Sequence, residues 1–356
     1  MSLKEAGIEH KSLADTLVAT VGCQFRNRRQ LRTILEGVAR AIPAGSIAGP
    51  AFCIFQFVSS VSEGFQGEAG FPVNQPVDTS EVKTRVLPAL EVLSLVHKGP
   101  AERIGETAAT LYARAAQHGL ISDEFMREVY LDSNNPAGNE TELQFILHDW
   151  AGLLGKHLTR VLGDEASRDV LRGSGALSLE SSVDERFCWV KGAMERLTSR
   201  ANEHAKADVL SSCSHVFPRA QLQKLRAVYE SARAEGEDPL EAVDAVREFM
   251  AADAGWGELP RREGRVLYSS KKPRDPKAFE SAEDDAERRR AYCFCPLVRD
   301  HLEGGMPLAF CYCGAGWYRQ QWEGALGKPV RVDIVESLLK GDDRCTFAIH
   351  LPADLS

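Results

Sequence analysis

The first half of the chain alternates between strand-like and helix-like hydrophobic patterns. Residues 17–25 and 91–97 are rich in strand-forming side chains, and residues 28–42 and 102–118 carry apolar side chains three or four positions apart. That second spacing places the apolar side chains on one face of a helix. Two shorter apolar runs follow each predicted helix. The pattern therefore predicts two successive units of strand, helix, strand and strand within residues 10–150.

The two predicted units align with each other at a single offset. Glu68 and Glu142, each near the end of a predicted strand, lie 74 positions apart, and the same offset pairs Val18 with Val92 near the start of each unit. An offset that holds at both ends of a block indicates an internal repeat. We therefore predict an α+β fold in which a duplicated βαββ domain buries its helices on one face. The groove between the two halves is a natural ligand site.

Glu142 is the candidate site residue of this domain, because it is a carboxylate among apolar strand residues. A carboxylate that points inward is costly to bury unpaired, and its pKa should rise. Such a group suits either a partner for a cationic ligand or a general acid–base role. Strand alternation equally allows Glu142 to face solvent on the side opposite Leu143.

The same region resembles the GyrI-like family, the effector-binding domain that also occurs in multidrug-sensing and AraC-type transcription regulators. The residues that carry the resemblance are LSLVHKGP at 93–100, the helix around 111–112, REVYL at 127–131 and TELQF at 141–145. The resemblance covers residues 10–150. It implies a pocket between the two halves, with Glu142 as a buried carboxylate and Tyr112 and Tyr130 as aromatic lining. The residues alone also allow both tyrosines to be core packing.

Members of that family include DNA-binding regulators, drug-sequestering proteins and hydrolases that open strained electrophiles. About ten residues precede the first predicted strand, so we expect no DNA-reading domain there and no direct DNA binding, in agreement with a net charge of −8. The resemblance implies binding of an amphipathic, cationic small molecule. The alternative is a hydrolase with Glu142 as general base and Tyr130 as hydrogen-bond donor.

The rest of the chain is predicted as two segments, helical at 151–258 and cysteine-rich α+β at 259–356. Five of the nine cysteines follow residue 290. Two Cys-x-Cys pairs are the candidate metal ligands: Cys293, Cys295, Cys311 and Cys313. In strands, residues two apart share a face, and four thiolates suit zinc or an iron–sulfur cluster. Further candidate ligands are Cys345, Cys213 and His215. Buried free thiols are the alternative.

The end of the chain resembles the 4-vinyl reductase family and the related family named for aminothiazoline-carboxylate hydrolase. The residues that carry this resemblance are GAGWY at 314–318, GKPVRV at 327–332 and LLKGDDRCTFAI at 338–349. It covers residues 260–352. The doubled Cys-x-Cys departs from that family's pattern, so the resemblance implies only a ligand-sensing or metal-linked module. A metal-dependent reaction would need an open coordination position, which a closed four-cysteine site lacks.

Composition limits the class of protein. The chain has 356 residues, 44% hydrophobic and 26% charged, which favours globular domains and excludes a disordered chain, a collagen or a coiled coil. There is no apolar run of 18 residues and no apolar leader, so neither a membrane span nor a secretory signal is predicted. Nine cysteines without a signal indicate a reducing, cytoplasmic location. A homo-oligomer is compatible with this composition.

Overall fold

The chain divides into two compact units, Met1–His148 and Asp149–Ser356. Residues 151–258 and 259–356, which the sequence patterns separate, both lie in the second unit. No helix among the described residues is long and apolar enough to cross a membrane. The computed structural model describes residues 3–56, 64–77, 79–120, 122–132, 134–217, 219–252 and 259–355.

The first unit consists of one antiparallel sheet and two long helices. Among the described residues, its strands are β1 (Glu9–Leu13), β2 (Thr16–Phe25), β3 (Phe52–Gln56), β4 (Phe65–Pro72), β5 (Lys83–Leu87), β6 (Leu90–Lys98), β7 (Ser122–Tyr130) and β8 (Glu140–Leu147). Its helices are α1 (Arg28–Ala41) and α2 (Ile104–Gln117). The strand order is β1-β6-β8-β7-β3-β4-β2-β5. The mixed α+β class predicted from the sequence is therefore confirmed for this unit.

Strand, helix, strand and strand follow one another twice in the first unit, as β2-α1-β3-β4 and as β6-α2-β7-β8. Val18 of β2 pairs with Pro72 of β4, and Val92 of β6 pairs with Ile146 of β8. The two registers coincide at the offset of 74 positions seen in the sequence. Pairing of β3 with β7 joins the two halves at the middle of the sheet.

Both helices lie on one face of this sheet, which we call the helix face. Asn27 caps α1, since its side chain accepts a hydrogen bond from the Gln30 amide. The apolar stripe of α1 packs on β2 and β4, and α2 packs on β6 and β8. Because directly paired residues of antiparallel strands share a face, one row of helix-face residues crosses the centre of the sheet: Ala69, Cys53, Glu128, Leu143 and Leu95.

The second unit combines helices with a smaller sheet. Its described helices are α3 (Trp150–Leu162), α4 (Asp164–Val170), α5 (Val183–Arg200), α6 (Glu203–Ser211), α7 (Arg219–Ala234), α8 (Pro239–Ala252), α9 (Pro276–Glu280), α10 (Asp285–Tyr292) and α11 (Tyr312–Leu326). Its strands are β9 (Arg261–Glu263), β10 (Val266–Ser270), β11 (Arg331–Glu336) and β12 (Thr346–His350), in the order β11-β12-β10-β9. Fully buried Trp322 of α11 packs in a core with α7, α8 and this sheet.

Candidate functional site

Glu142 lies on the face of the sheet opposite the helix face. Its Oε1 accepts hydrogen bonds from Ser94 Oγ at 2.6 Å, Lys11 Nζ at 2.9 Å and Gln144 Nε2 at 3.0 Å. Burial alone would raise the pKa of Glu142, but these donors lower it below its ordinary value. The rise in pKa that the sequence predicted for a buried Glu142 is therefore not found, because Ser94, Lys11 and Gln144 all donate hydrogen bonds to the carboxylate.

Glu68, the counterpart of Glu142 in the first half, has the same kinds of partner. It accepts hydrogen bonds from Thr20 of β2 and from Arg85 of β5, the latter with Nε at 2.7 Å from Oε1. Each glutamate thus joins a hydroxyl of the neighbouring strand to a cation of an edge strand. Both carboxylates therefore link neighbouring strands of the sheet. Burial alone would raise the pKa of Glu68, but its hydrogen-bond donors lower it, as they do for Glu142.

Tyr130 and Tyr112 lie on the helix face and not with Glu142. The fully buried Tyr130 donates its hydroxyl to Glu128 Oε2 at 2.9 Å. The Tyr112 ring of α2 packs edge-on against Phe145, with ring centroids 4.8 Å apart. Tyr130 pairs with Thr141, so the next residue of β8, Glu142, points to the other side. The structure brings the two tyrosines to one face but leaves Glu142 on the other.

The carboxylate that accompanies Tyr130 is Glu128, which sequence reasoning missed. Glu128 is only 1% exposed and lies at the centre of the helix face. Arg28, the first residue of α1, binds it with both terminal nitrogens, and Nη2 lies 2.5 Å from Oε1. Burial lowers the pKa of Arg28, but the hydrogen bonds and charge of Glu128 raise it above its usual range. The alternation of Met126, Glu128 and Tyr130 along β7 was the available signal.

The surroundings of Glu128 are sulfur-containing and aromatic. Cys53, which is 0% exposed, is the direct partner of Glu128 in the pairing of β3 with β7. Three phenylalanines pack together farther along the same face, with Phe65 5.4 Å from both Phe25 and Phe55 between ring centroids. Around Glu128, the described residues of the helix face therefore place a compensated ion pair beside a buried thiol and close to a cluster of aromatic rings.

The two Cys-x-Cys pairs of the second unit do not lie on strands, which corrects the expectation from the sequence. Cys293 directly follows α10 and Cys295 lies in the loop after it, while Cys311 directly precedes α11 and Cys313 is its second residue. Residues two apart on a helix point to different sides. The Cys311 thiol accordingly lies 3.3 Å from Ser337 Oγ, whereas the Cys313 thiol donates to the Cys213 carbonyl at 3.4 Å.

The thiols as placed do not fit a metal centre. Over the described ranges, no three His, Cys, Asp or Glu side chains are arranged to hold one ion. Burial raises the pKa of Cys293 and Cys313 to about 11 and that of Cys311 to about 12. Burial also raises the pKa of Cys295 and Cys345.

Cys213, a further candidate ligand, has another partner. Its thiol donates to the Val209 carbonyl at 3.3 Å. The contact recorded for His215 involves its backbone carbonyl, which accepts a hydrogen bond from Gln320 Nε2 at 2.8 Å. The predicted zinc or iron–sulfur centre therefore has no support in this structure.

Comparison with known families identifies the first unit. Residues 29–147 match the family described as the GyrI-like small molecule binding domain. The first unit therefore contains a GyrI-like domain, as the sequence segments had predicted. The match ends before the second unit, whose likeness to the vinyl reductases stays a prediction. No curated protein matches the chain.

The solved structures that match the chain cover about two fifths of it. EcmrR in its DNA complex is 20% identical over 39% of this chain and 56% of its own, with a TM-score of 0.34, so this chain spans about half the length of that regulator. A hydrolase encoded by lin2189 from Listeria innocua is 15% identical over 39% and 91%, with a TM-score of 0.31. SAV2435 bound to tetraphenylphosphonium is 9% identical over 41% and 96%, with a TM-score of 0.29. TM-scores this low support no inference on function.

Proposed function

We propose that the first unit binds an amphipathic, cationic small molecule at its helix face, with Glu128 as the group that takes the positive charge of the ligand. The observation that carries this proposal is the Glu128–Arg28 pair at the centre of a GyrI-like small-molecule domain. A buried carboxylate requires a compensating charge. In this structure that charge comes from Arg28, a side chain of the protein itself.

The burial of the two partners supports an exchange of cations. The Glu128 side chain is 2% exposed, whereas that of Arg28 is 22% exposed, so the guanidinium has a path to water. A ligand cation that replaces Arg28 keeps the carboxylate paired, and the released Arg28 regains its hydration. Tyr130 would keep its hydrogen bond to Glu128 throughout, and the Tyr112 ring adds an aromatic surface of the kind that favours organic cations.

We also propose that the two βαββ halves arose by duplication. The shared register and the matched bracing of Glu68 and Glu142 support this relation. A twofold axis that relates the two halves would pass through the centre of the sheet between Cys53 and Glu128, which pair directly with each other. Each of these two residues is then the counterpart of the other. The bracing glutamates are the same in both halves, while the central pair differs. This contrast supports a structural role for the first set and a ligand role for Glu128.

The test compares two glutamine substitutions on opposite faces of the sheet. Tetraphenylphosphonium, a hydrophobic cation, is titrated into the full chain by calorimetry. We expect Glu128→Gln to lose at least about 1.4 kcal/mol of binding free energy, a tenfold weaker affinity. Glu142→Gln serves as the matched control, with wild-type affinity. Loss of affinity in Glu142→Gln alone would return the site to the position that the GyrI-like resemblance implied. Unchanged affinity in both variants would refute a carboxylate-based site.

Catalysis by Glu142 is less well supported than binding. A general base works best with a pKa near the working pH, and the donors around Glu142 lower its pKa. Tyr130, the expected hydrogen-bond donor of that mechanism, lies on the other face and donates to Glu128. The hydrolase alternative stays a prediction, and the Glu142→Gln variant tests it as loss of turnover of a strained electrophile with affinity retained.

A further inference from the structure

Arg28 occupies the position beside Glu128 that the proposed function assigns to a ligand cation. Its Nη1 donates to Glu128 Oε2, and its Nη2 donates to Oε1 at 2.5 Å. One planar guanidinium therefore spans both carboxylate oxygens with two N–H groups, a strong and directional form of carboxylate pairing. This internal cation is a template for the head group of a ligand that replaces it.

The Glu128 carboxylate needs hydrogen-bond donors as well as a positive charge. Tyr130 donates to Oε2 at 2.9 Å, and the Glu128 side chain is only 2% exposed, so water has little access to its oxygens. If a cation without N–H groups took the place of Arg28, Oε1 would lose the donor that Arg28 supplies and Oε2 would keep only Tyr130. A buried acceptor that loses its partner costs free energy even where its charge stays compensated.

Aromatic side chains continue from Glu128 along the helix face. Cys53 pairs with Glu128, and Phe55 pairs with Met126 one same-face step farther along β3 and β7. Such a step of two residues along a strand covers about 7 Å. Phe65, which is 38% exposed, has its ring centroid 5.4 Å from that of Phe55. A flat aromatic body attached to the cation would therefore meet aromatic surface between Glu128 and the exposed ring of Phe65.

We propose that the site at Glu128 selects aromatic amidinium or guanidinium compounds over cations without N–H groups. This inference rests on the proposed function, because it names the class of ligand for the same carboxylate. An amidinium has the planar fork of Arg28 and can make the same two hydrogen bonds, so the exchange leaves Glu128 with its donors. A quaternary ammonium or phosphonium ion compensates the charge alone and binds more weakly for the same aromatic body.

The test uses two monocations with the same biphenyl body, 4-phenylbenzamidine and (biphenyl-4-yl)trimethylammonium. Each compound is titrated by calorimetry into the full chain and into its Glu128→Gln and Glu142→Gln variants. We expect the amidine to bind the wild-type protein at least about tenfold more tightly than the ammonium compound. Glu128→Gln should abolish this preference, because its amide lacks the charge and one acceptor oxygen. The control Glu142→Gln should retain it.

The outcomes separate this inference from the proposed function on which it rests. If wild-type protein binds both compounds equally and Glu128→Gln weakens both, the inference is overturned and the cation site at Glu128 stands. If Glu128→Gln changes neither affinity, or if neither compound binds, the proposed function is overturned and the inference with it. The comparison of the two compounds on wild-type protein requires no variant.

Arg28→Met tests whether the ligand takes the place of Arg28 itself. Removal of this internal competitor should tighten the binding of 4-phenylbenzamidine several-fold, whereas Arg103→Met, which changes an exposed ion pair, should leave the affinity unchanged. Circular dichroism confirms that each variant is folded. Unchanged or weaker binding of the amidine by folded Arg28→Met would overturn the proposal, because the ligand would then not occupy the position of the guanidinium.

Discussion

The Arg28–Glu128 pair makes a quantitative prediction about stability. Arg28→Met leaves the carboxylate of Glu128, 2% exposed, without its compensating charge. Removing one partner of a buried ion pair costs about 3–5 kcal/mol. The opening equilibrium of the surrounding strands should therefore rise by about 2.2 to 3.7 orders of magnitude, since 1.36 kcal/mol corresponds to a factor of ten. Replacement of both partners, Arg28→Met with Glu128→Met, should recover most of this loss.

Cys53 provides a local assay for this prediction. Its thiol is 0% exposed and lies directly opposite Glu128, so it is alkylated only when β3 opens. The rate of Cys53 labelling, read by mass spectrometry under native conditions, reports the local opening free energy. A global unfolding curve would mix the two units.

Arg103 is the matched control for Arg28. It lies just before α2, as Arg28 lies at the start of α1, but its ion pair with Glu106 is exposed, with side-chain exposures of 66% and 65%. Exposed pairs contribute little, so Arg103→Met should leave Cys53 labelling unchanged. If Arg28→Met accelerates Cys53 labelling no more than Arg103→Met does, burial of Glu128 does not make its ion pair important for stability.

Three further predictions concern other parts of the chain. The ion pair between Lys11 and Glu142 stabilises β1 fully at pH values above 4.5, the ordinary pKa of a glutamate side chain. Because the pKa of Glu142 is lowered, this stabilisation is lost as the pH falls through the lowered pKa. Lys11→Met should therefore reduce the acid dependence of amide exchange in β1. Gly316→Ala should destabilise the second unit by about 1–3 kcal/mol, because its Cβ would stand 2.0 Å from a backbone oxygen of α6. The control Gly192→Ala should be neutral or stabilising, because its Cβ meets only the end of a flexible side chain. Tryptophan fluorescence during urea unfolding measures both effects, since all five tryptophans follow residue 149. Cys311, whose pKa burial raises to about 12, should resist iodoacetamide at pH 8 until the protein is unfolded.

The order of strands and helices in the first unit could be predicted from sequence because each element carries its own hydrophobic period. The repeat offset even anticipated the strand register, since Val18 and Val92 begin equivalent pairings. The position of Glu142 was harder, because alternation gives two faces but does not say which one meets the helices. Its neighbour Leu143, and not Glu142 itself, shares a face with Glu128.

Partners distant in sequence were beyond such reasoning. Arg28 and Glu128 are 100 positions apart, and the pairing follows only from where α1 begins above the sheet. The prediction that the Cys-x-Cys pairs lie on strands was wrong for a different reason. A two-residue spacing places thiols together on a strand but apart on a helix, and α11 begins at Tyr312, between Cys311 and Cys313. The short apolar run before them did not distinguish the two structures.

The most direct test of the proposed ligand site determines which face of the sheet the bound ligand contacts. Met126 pairs with Phe145 and lies on the helix face, whereas Ile146, the next residue of β8, lies on the opposite face. In methyl-labelled protein with bound tetraphenylphosphonium, intermolecular nuclear Overhauser effects from the ligand rings report this contact. We expect contacts to the Met126 methyl group and none to Ile146. Contacts to Ile146 without contacts to Met126 would show that the ligand binds the opposite face of the sheet.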